Sequence, residues 1–435
     1  MKPFELFSIL QSNSKVAFLL ESAEGAKKTA CYSFIGFQPK QHINGNDSKI
    51  GINGKSVKNT NLTEILNKQS KLVSKKESGF LGGAVGYFSF EYIHCLEKFS
   101  KTKQVVDFPT FEFGIFKDVI VFDHKQKKVM YKYIGKSRLK KIQECLQSPK
   151  INQEKFKIKK IKCNLTPEKF CEKVKTAKKH IIAGDIFQTV ISKRYEIDFS
   201  GSLLPFYKQL KQVNPSPYLF YLKFEDRQII GSSPENLIRI QNNKIESYAT
   251  LAGTRKRGKN KKEDQKLEKE LLQDSKECTE HIMLVDLTRN DVGKIAIPGT
   301  VKVPELMQVH KYSHVQHLAS LVTGKLKQGK TTLDALNSIF PAGTVSGAPK
   351  IRAVQILSKL EKTNRGPYGG AVGYFSVNGN MDFAIILRTL FANKNKAYIQ
   401  TGAGIVYDSD PKKEFQETEN KAKALLQALK GSESK

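Results

Sequence analysis

Arginine is scarce in this chain, cysteine is sparse, and no stretch is apolar enough to span a membrane. Only ten of the 73 basic residues are Arg, although the formal net charge is +31. Such a charge first suggests nucleic acid. Yet the lysines are spread along the whole chain, and no Arg-rich arm or aromatic–basic run accompanies them. A solvated lysine surface is expected, with no nucleic-acid partner; its positive field would also favour an anionic substrate. The six cysteines (Cys31, Cys95, Cys145, Cys163, Cys171 and Cys278) lack CxxC spacing. That argues against a zinc module and a disulfide framework, and leaves reduced thiols in a cytoplasmic protein as the simplest reading. The N-terminal MKPFELFSILQSNSK is too short in its apolar run for a signal-peptide core. No GxGxxG or P-loop spacing is present, and HExxH is missing.

The 435 residues are 39% hydrophobic and 26% charged, which suits a globular protein with a sizeable core. Ser148–Lys162 is Lys-rich and poorly patterned, and reads as a connection between residues 1–150 and a larger part over 163–430. The final GSESK reads as a frayed tail. The clearest organisational signal is a repeat: GGAVGYFS stands at Gly82–Ser89 and again, letter for letter, at Gly369–Ser376. Apolar, aromatic and glycine-rich, it suits a buried strand that another backbone approaches closely. Two copies imply pseudo-symmetric halves sharing one core. Strands are predicted at Val119–Phe122, Leu219–Phe224, Leu237–Gln241, Phe383–Phe391 and Ala397–Gln400. Helices are predicted at Pro167–Ala183, Lys262–Leu287, Thr332–Ile339, Lys350–Leu360 and Pro411–Lys430. The pattern indicates α+β rather than a parallel wind.

Two acidic pairs fall on predicted helices at i, i+3: Glu277 with Glu280, and Glu414 with Glu417. Each pair leaves one helix face. Four carboxylates converging from two helices would suit a hard cation such as Mg²⁺, and would equally serve as solvated faces if they did not converge. Two glycine-rich loops, Pro341–Lys350 before a helix and Thr401–Ile405 after a strand, let amides approach an anion, or simply turn the chain. Arg388, in a run of apolar strand residues, calls for an acid or an anionic ligand. HKYSHVQH holds His310, His314 and His317, any of which can be structural.

These residues resemble a known family. From about Asn214 to Leu429 the strings NPSPYLFY, GSSPENL, LAGTR, KECTEHIMLVDLTRNDVG, YSHVQH, FPAGTVSGAPK, RGPYGGAVGYF, TGAGIVYDSDP and ETENKA follow the order of the chorismate-utilising enzymes, and most closely the anthranilate synthase component I branch. FLLESAEG and YSFIGF extend the resemblance to the first 40 residues. It implies two antiparallel sheets packed as a sandwich, helices outside, with the N- and C-terminal parts interleaved. It implies a Mg²⁺-dependent lyase reaction that turns chorismate and ammonia into anthranilate and pyruvate. Glu280 and Glu417 would hold Mg²⁺ directly, supported by Glu277 and Glu414. Gly253, Thr254, Thr344, Tyr368, Arg388, Gly402, Ala403 and Gly404 would bind substrate, Arg388 through a carboxylate and Thr254 beside the reacting atoms. Glu235 would protonate the departing hydroxyl, and His317 would move the ring proton.

Two positions separate branches of the resemblance. Water-using relatives carry a lysine where Gln188 stands. The aminodeoxychorismate-forming branch of folate synthesis, the alternative reading, has a nucleophilic lysine where Ala252 stands. Thr250 departs from the proline usual in that loop. No GxCxG elbow of a glutaminase is present, so a separate glutamine amidotransferase subunit is implied, in a hetero-oligomer. FLLES and NPSPYLFY also resemble a tryptophan feedback pocket, placing Ser22, Pro217, Tyr218 and Leu219 beside the inhibitor in an N-terminal regulatory part.

Overall fold

The computed structural model describes residues 1–22, 32–46, 49–58, 60–69, 79–98, 107–147, 155–311 and 315–433, with the main chain alone at 69, 249–254 and 315. Cys31 and His314 lie outside the described residues. Among the described residues two antiparallel sheets, each of 11 strands, form the centre. The first runs from the edge strand Lys157–Cys163 through Gln188–Ser200, Lys396–Ile405, Thr389–Asn393, Arg227–Ser233 and Tyr218–Phe224. It then continues into the N-terminal strands Val16–Glu21, Tyr32–Phe37, Asp118–Asp123 and Lys128–Tyr133. The second runs from Lys302–Lys311 through Val315–Lys325, Lys244–Lys256, Asn236–Gln241, Met381–Ile385 and Ala371–Ser376. Gly83–Phe88, Phe111–Phe116 and Gln41–Gly45 follow, then two short strands. Both halves of the chain therefore enter both sheets.

Between the sheets lies an aromatic layer, with Phe18, Phe220 and Phe391 from one side and Val85, Tyr87 and Val372 from the other. A second core packs the outer face of the first sheet against helices Pro3–Ser12, Leu204–Val213 and Pro411–Gly431. A third packs the second sheet against helices Ser275–Gly293 and Thr332–Ile339. Among the described residues no helix is long and apolar enough to cross a membrane.

The repeated octapeptides meet. Gly83–Phe88 and Ala371–Ser376 pair antiparallel with Gly86 opposite Gly373. A Cβ on Gly86 would lie 1.9 Å from the Glu112 carbonyl oxygen, and one on Gly373 2.0 Å from that of Asp382, so only glycine fits at either point. In the first sheet Val16–Glu21 pairs with Tyr218–Phe224 about Leu19 and Tyr221. The neighbouring registers repeat as well: Phe18 faces Gly36 as Phe220 faces Gly231, and Tyr87 faces Glu112 as Tyr374 faces Asp382. Residues 16–133 and 218–405 are thus two copies of one strand plan, related by a pseudo-twofold through Leu19/Tyr221 and Gly86/Gly373. By this register Ser22 corresponds to Phe224, and Asp118 to Arg388.

Four elements differ from the sequence reading. The apolar run Phe383–Phe391 is not one strand: Met381–Ile385 belongs to the second sheet and Thr389–Asn393 to the first, with Arg388 at the crossover bend at φ 48°. Lys262–Leu287 is two helices, because Asp274 ends the first and its carboxylate caps the second at the Glu277 amide (3.1 Å). Thr401–Ile405 lies within the strand Lys396–Ile405 rather than after one. Part of the supposed connection is the edge strand Lys157–Cys163, whose lysines face water.

Candidate active site

The chain crosses from the first sheet to the second just after Ser233, and back again between Ile385 and Thr389. The two crossovers lie side by side: the Ile385 amide donates to the Glu235 carbonyl (3.0 Å) and the Ser232 amide to that of Arg388 (3.2 Å). This brings together Glu235 and Arg388, which are far apart in sequence. The Arg388 guanidinium is oriented by Asn214, whose Oδ1 accepts from Nη1 at 3.1 Å.

Glu235 is 2% exposed. The turn Gly343–Val345 places the Thr344 hydroxyl 2.9 Å from its Oε1, where it donates. The other carboxyl oxygen, Oε2, is buried and has no hydrogen-bond partner among the described residues. Burial pushes its pKa up to about 8, against the lowering effects of the Thr344 bond, Lys421 and Arg388. Burial thus favours the uncharged carboxylic acid, held at one oxygen by the Thr344 hydroxyl.

One wall is the strand that carries Gly402, Ala403 and Gly404, paired with Ser192, Ile191 and Val190. A Cβ on Gly402 would come within 2.9 Å of the buried Tyr368 hydroxyl, and one on Gly404 within 2.8 Å of Gln188 Nε2. Glycine at 402 and 404 thus lets this strand pack closely against Tyr368 and Gln188. The Oε1 of Gln188 is buried with no partner among the described residues. Gly253 and Thr254 lie in a bulge: Thr250 pairs with Ala319, but Thr254 with His317, so four residues span two. Their side chains are outside the described set. His317 is 6% exposed on the strand Val315–Lys325, with His310 on its other flank.

The acidic pairs leave helices Ser275–Gly293 and Pro411–Gly431. Glu280 has its pKa raised first by burial and then by the charges of Glu277, Glu414 and Glu417, opposed by Lys276. Glu414 is raised by burial and by Glu417. Acids from both helices thus act on the charge of Glu280. Among the described residues no three carboxylate, His or Cys groups close into a finished ligand shell. Basic groups balance the site instead: Lys421 pairs with Glu417 at 2.6 Å and Arg255 with Glu277 at 3.4 Å. Lys421 was missed by the sequence reading. Its Nζ also donates to the Gly402 carbonyl (3.0 Å), tying the acidic helix to the glycine wall. The signal was present in ETENKA, where Lys421 follows Glu417 by one helical turn. The donors are all oxygen, and their mutual repulsion is what a hard divalent cation would relieve.

A separate cavity of about 260 Å³ opens between the halves, and Ser22, Pro217, Tyr218 and Leu219 all line it. Its floor holds Asp382, which pairs with Arg239 at 2.8 Å and accepts from the Tyr218 hydroxyl at 3.1 Å. Tyr374 of the second octapeptide lines it too.

Comparison with known proteins is consistent along the whole chain. Residues 15–427 match the family of chorismate binding enzymes. Anthranilate synthase component 1 of Saccharolobus solfataricus is 44% identical over 428 residues, covering 98% of this chain and 97% of that one. The same-named protein of Methanothermobacter thermautotrophicus is 42% identical over 432 residues, covering 98% and 92%. The crystal structure of anthranilate synthase component I from Streptococcus pneumoniae superposes with a TM-score of 0.83 at 36% identity, over 91% of this chain and 92% of that. The menaquinone-specific isochorismate synthase of Escherichia coli shares the fold at a TM-score of 0.77 and 19% identity, covering 99% and 91%.

Proposed function

Because this chain belongs to the chorismate binding enzyme family, we propose that it converts chorismate and ammonia to anthranilate and pyruvate, as the large subunit of an anthranilate synthase. The observation that carries the mechanism is Glu235: a buried carboxyl with its pKa pushed up to about 8, with one oxygen lacking a partner among the described residues and the charge of Arg388 acting on it. It is suited to protonate the 4-hydroxyl of chorismate, which leaves as water. Ammonia then adds to the ring and gives up a proton. In the second stage His317 takes the hydrogen from the carbon that gained nitrogen. The ether bond to the enolpyruvyl group breaks, the ring becomes aromatic, and a proton returned to the enol carbon completes pyruvate. Arg388, held by Asn214, pairs with one substrate carboxylate. Glu280 and Glu417, with Glu277 and Glu414 behind them, would hold Mg²⁺, which supplies charge neutralisation for the other carboxylate. Gln188 stands where water-using relatives have a lysine, and an amide is no base. Ala252 stands where the aminodeoxychorismate-forming branch has a nucleophile, so ammonia adds directly.

The pure single chain should form anthranilate from chorismate, Mg²⁺ and an ammonium salt, followed by product fluorescence, and should not use glutamine. These 435 residues contain no GxCxG glutaminase elbow, and we propose that ammonia from glutamine is supplied by an amidotransferase subunit in a cytoplasmic hetero-oligomer. Glutamine-dependent turnover by the single chain would contradict this. Formation of aminodeoxychorismate in place of anthranilate would favour the folate branch.

We assign the cavity beside Ser22 to tryptophan as feedback inhibitor. The pseudo-twofold supports a specific test. At the position matching Ser22 stands Phe224, 2% exposed, its ring 5.5 Å from His42 and 6.0 Å from Tyr87, the counterpart of Tyr374. A phenyl ring thus already fills the sister site. Ser22→Phe should abolish tryptophan inhibition while leaving turnover without tryptophan within about twofold, since Ser22 is only half-buried and lines a cavity that does not include Glu235 or Arg388. A wild type that neither binds nor responds to tryptophan would remove the assignment.

A further inference from the structure

Three walls of the substrate site hang on one buried guanidinium. Arg365 is 2% exposed and follows the helix Lys350–Leu360. Its Nη1 donates to the Val345 carbonyl at 2.7 Å, next to Thr344. Its Nη2 donates to the Val190 carbonyl at 2.6 Å, on the strand opposite Gly404. Nε and Nη2 also bind both oxygens of Glu361, at 2.7 and 3.0 Å. Glu361 in turn accepts from the Ser192 amide (2.8 Å) and hydroxyl (2.7 Å), and Ser192 is paired with Gly402. Three residues on is Tyr368, whose ring centroid lies 5.8 Å from the guanidinium, while the Phe90 ring lies 4.4 Å away on another side.

The N-terminal half supplies the seat. Both oxygens of Glu91 accept main-chain amides, from Arg365 at 2.6 Å and Gly366 at 3.0 Å, and the Phe90 amide donates to the Gly366 carbonyl at 2.8 Å. Glu91 follows the first octapeptide and Arg365 precedes the second, so the junction of the two repeats ends in this knot.

We propose that Arg365, clamped by Glu361 and seated by Glu91, is a positioning residue that fixes the Thr344 turn against the Gly402 strand around the substrate. It touches no reacting atom. It acts by holding two main-chain carbonyls of different elements at once, which a planar fork does and a single ammonium head does not. The proposal rests on the functional reading above, since it needs Thr344 and Glu235 to face substrate.

Arg365→Lys keeps the charge against Glu361 and gives up one carbonyl. We expect kcat/KM for chorismate with ammonium to fall about 10–100-fold, as a displacement of about 1 Å in a site can cost 10²-fold. A second readout separates positioning from bulk stability. If the turn slips, Thr344 leaves Glu235. The remaining groups facing Glu235, Lys421 and Arg388, stay, but one lowering influence is lost. The basic limb of the kcat profile should then move to higher pH. Glu91→Gln, which alters the seat and leaves Arg365 intact, should move the same limb in the same direction and serves if Arg365→Lys does not fold. Either folded variant showing the wild-type KM, kcat and pH limb overturns the proposal. A wild type inert toward chorismate and ammonium would overturn the functional reading itself, and this proposal with it.

Discussion

Glu417→Gln and Glu280→Gln should each reduce ammonia-dependent anthranilate formation by at least about 10²-fold and remove its dependence on Mg²⁺, with the protein still folded. The size follows from the ligand count. A hard cation bound by few carboxylates depends on each anionic oxygen, and even supporting groups are worth about 10–100-fold. Loss of fold is not expected. The Glu417 side chain is 48% exposed, with Lys421 as its ion-pair partner, and an exposed pair contributes about 0–1 kcal/mol. For Glu280 the sign runs the other way. Its folded pKa is raised by burial and by three neighbouring glutamates. A carboxyl with a raised folded pKa loses stability as pH climbs through that value, so above it the ionised side chain opposes folding. Glutamine removes that penalty. Without metal, Glu280→Gln should therefore melt at or above the wild-type temperature at pH 7.5. A ligand that binds the native state alone stabilises it by RT ln(1 + L/Kd), where L is the free ligand concentration. Added Mg²⁺ should raise the wild-type melting temperature and leave both variants unmoved. A variant that keeps near-normal activity, or the full Mg²⁺ shift, would remove the metal assignment.

The parts of this architecture that sequence reading reached are those carried by local chemistry. The acids at i, i+3 lie on helices, and the octapeptide is a buried strand that pairs with its own copy. What sequence could not show is where the chain changes sheets. Residues 383–391 are apolar throughout, and a hydrophobic run carries no mark of a crossover. Yet the crossover is why Arg388 has a positive φ and why it lies beside Glu235. Lys157–Cys163 failed for a different reason. Its lysines hide a strand, because an exposed edge is protected from pairing with other chains by such charges. Asp274 is an ordinary residue in sequence and becomes a helix stop only because it caps the next helix. The protonated state of Glu235 is likewise invisible in GSSPENL, since it comes from burial at a junction of two sheets.

The two copies diverge at their crossovers. At the position matching Arg388 stands Asp118, paired with Arg138, whose guanidinium also donates to the carbonyls of Phe37 and Gln38. Leu81 precedes the first octapeptide where Tyr368 precedes the second. The N-terminal crossover is thus tied by an ion pair, and the matching end of the C-terminal copy carries Arg388 and Tyr368. The cavity at Ser22 shows the same division in reverse, open on one side of the pseudo-twofold and filled by Phe224 on the other.

His317→Met should separate the two stages of the reaction. Amination needs an acid at the leaving hydroxyl and a bound substrate, which are the tasks given to Glu235, Arg388 and the acidic site. None of these is on the strand Val315–Lys325. Elimination needs a base at the carbon that gained nitrogen, and imidazole titrates near the working pH. Aromatisation supplies the driving force, so the barrier is chiefly one of placing that base. A positioned base contributes about 10²–10⁴-fold. Methionine is close in volume and apolar, so it keeps the packing at a site 6% exposed while taking away the nitrogen lone pair. Chorismate should therefore still be consumed, and an aminated, non-aromatic compound that retains the enolpyruvyl ether should accumulate on chromatography. Anthranilate and pyruvate should fall together by at least about 10²-fold. His310, opposite His317 on the neighbouring strand and 3.7 Å from Glu305, provides the control: His310→Asn should change neither stage by more than about threefold, because a long, half-buried pair of this kind contributes little. Anthranilate and pyruvate released at the wild-type rate by His317→Met would make His317 structural and move the base elsewhere in the site.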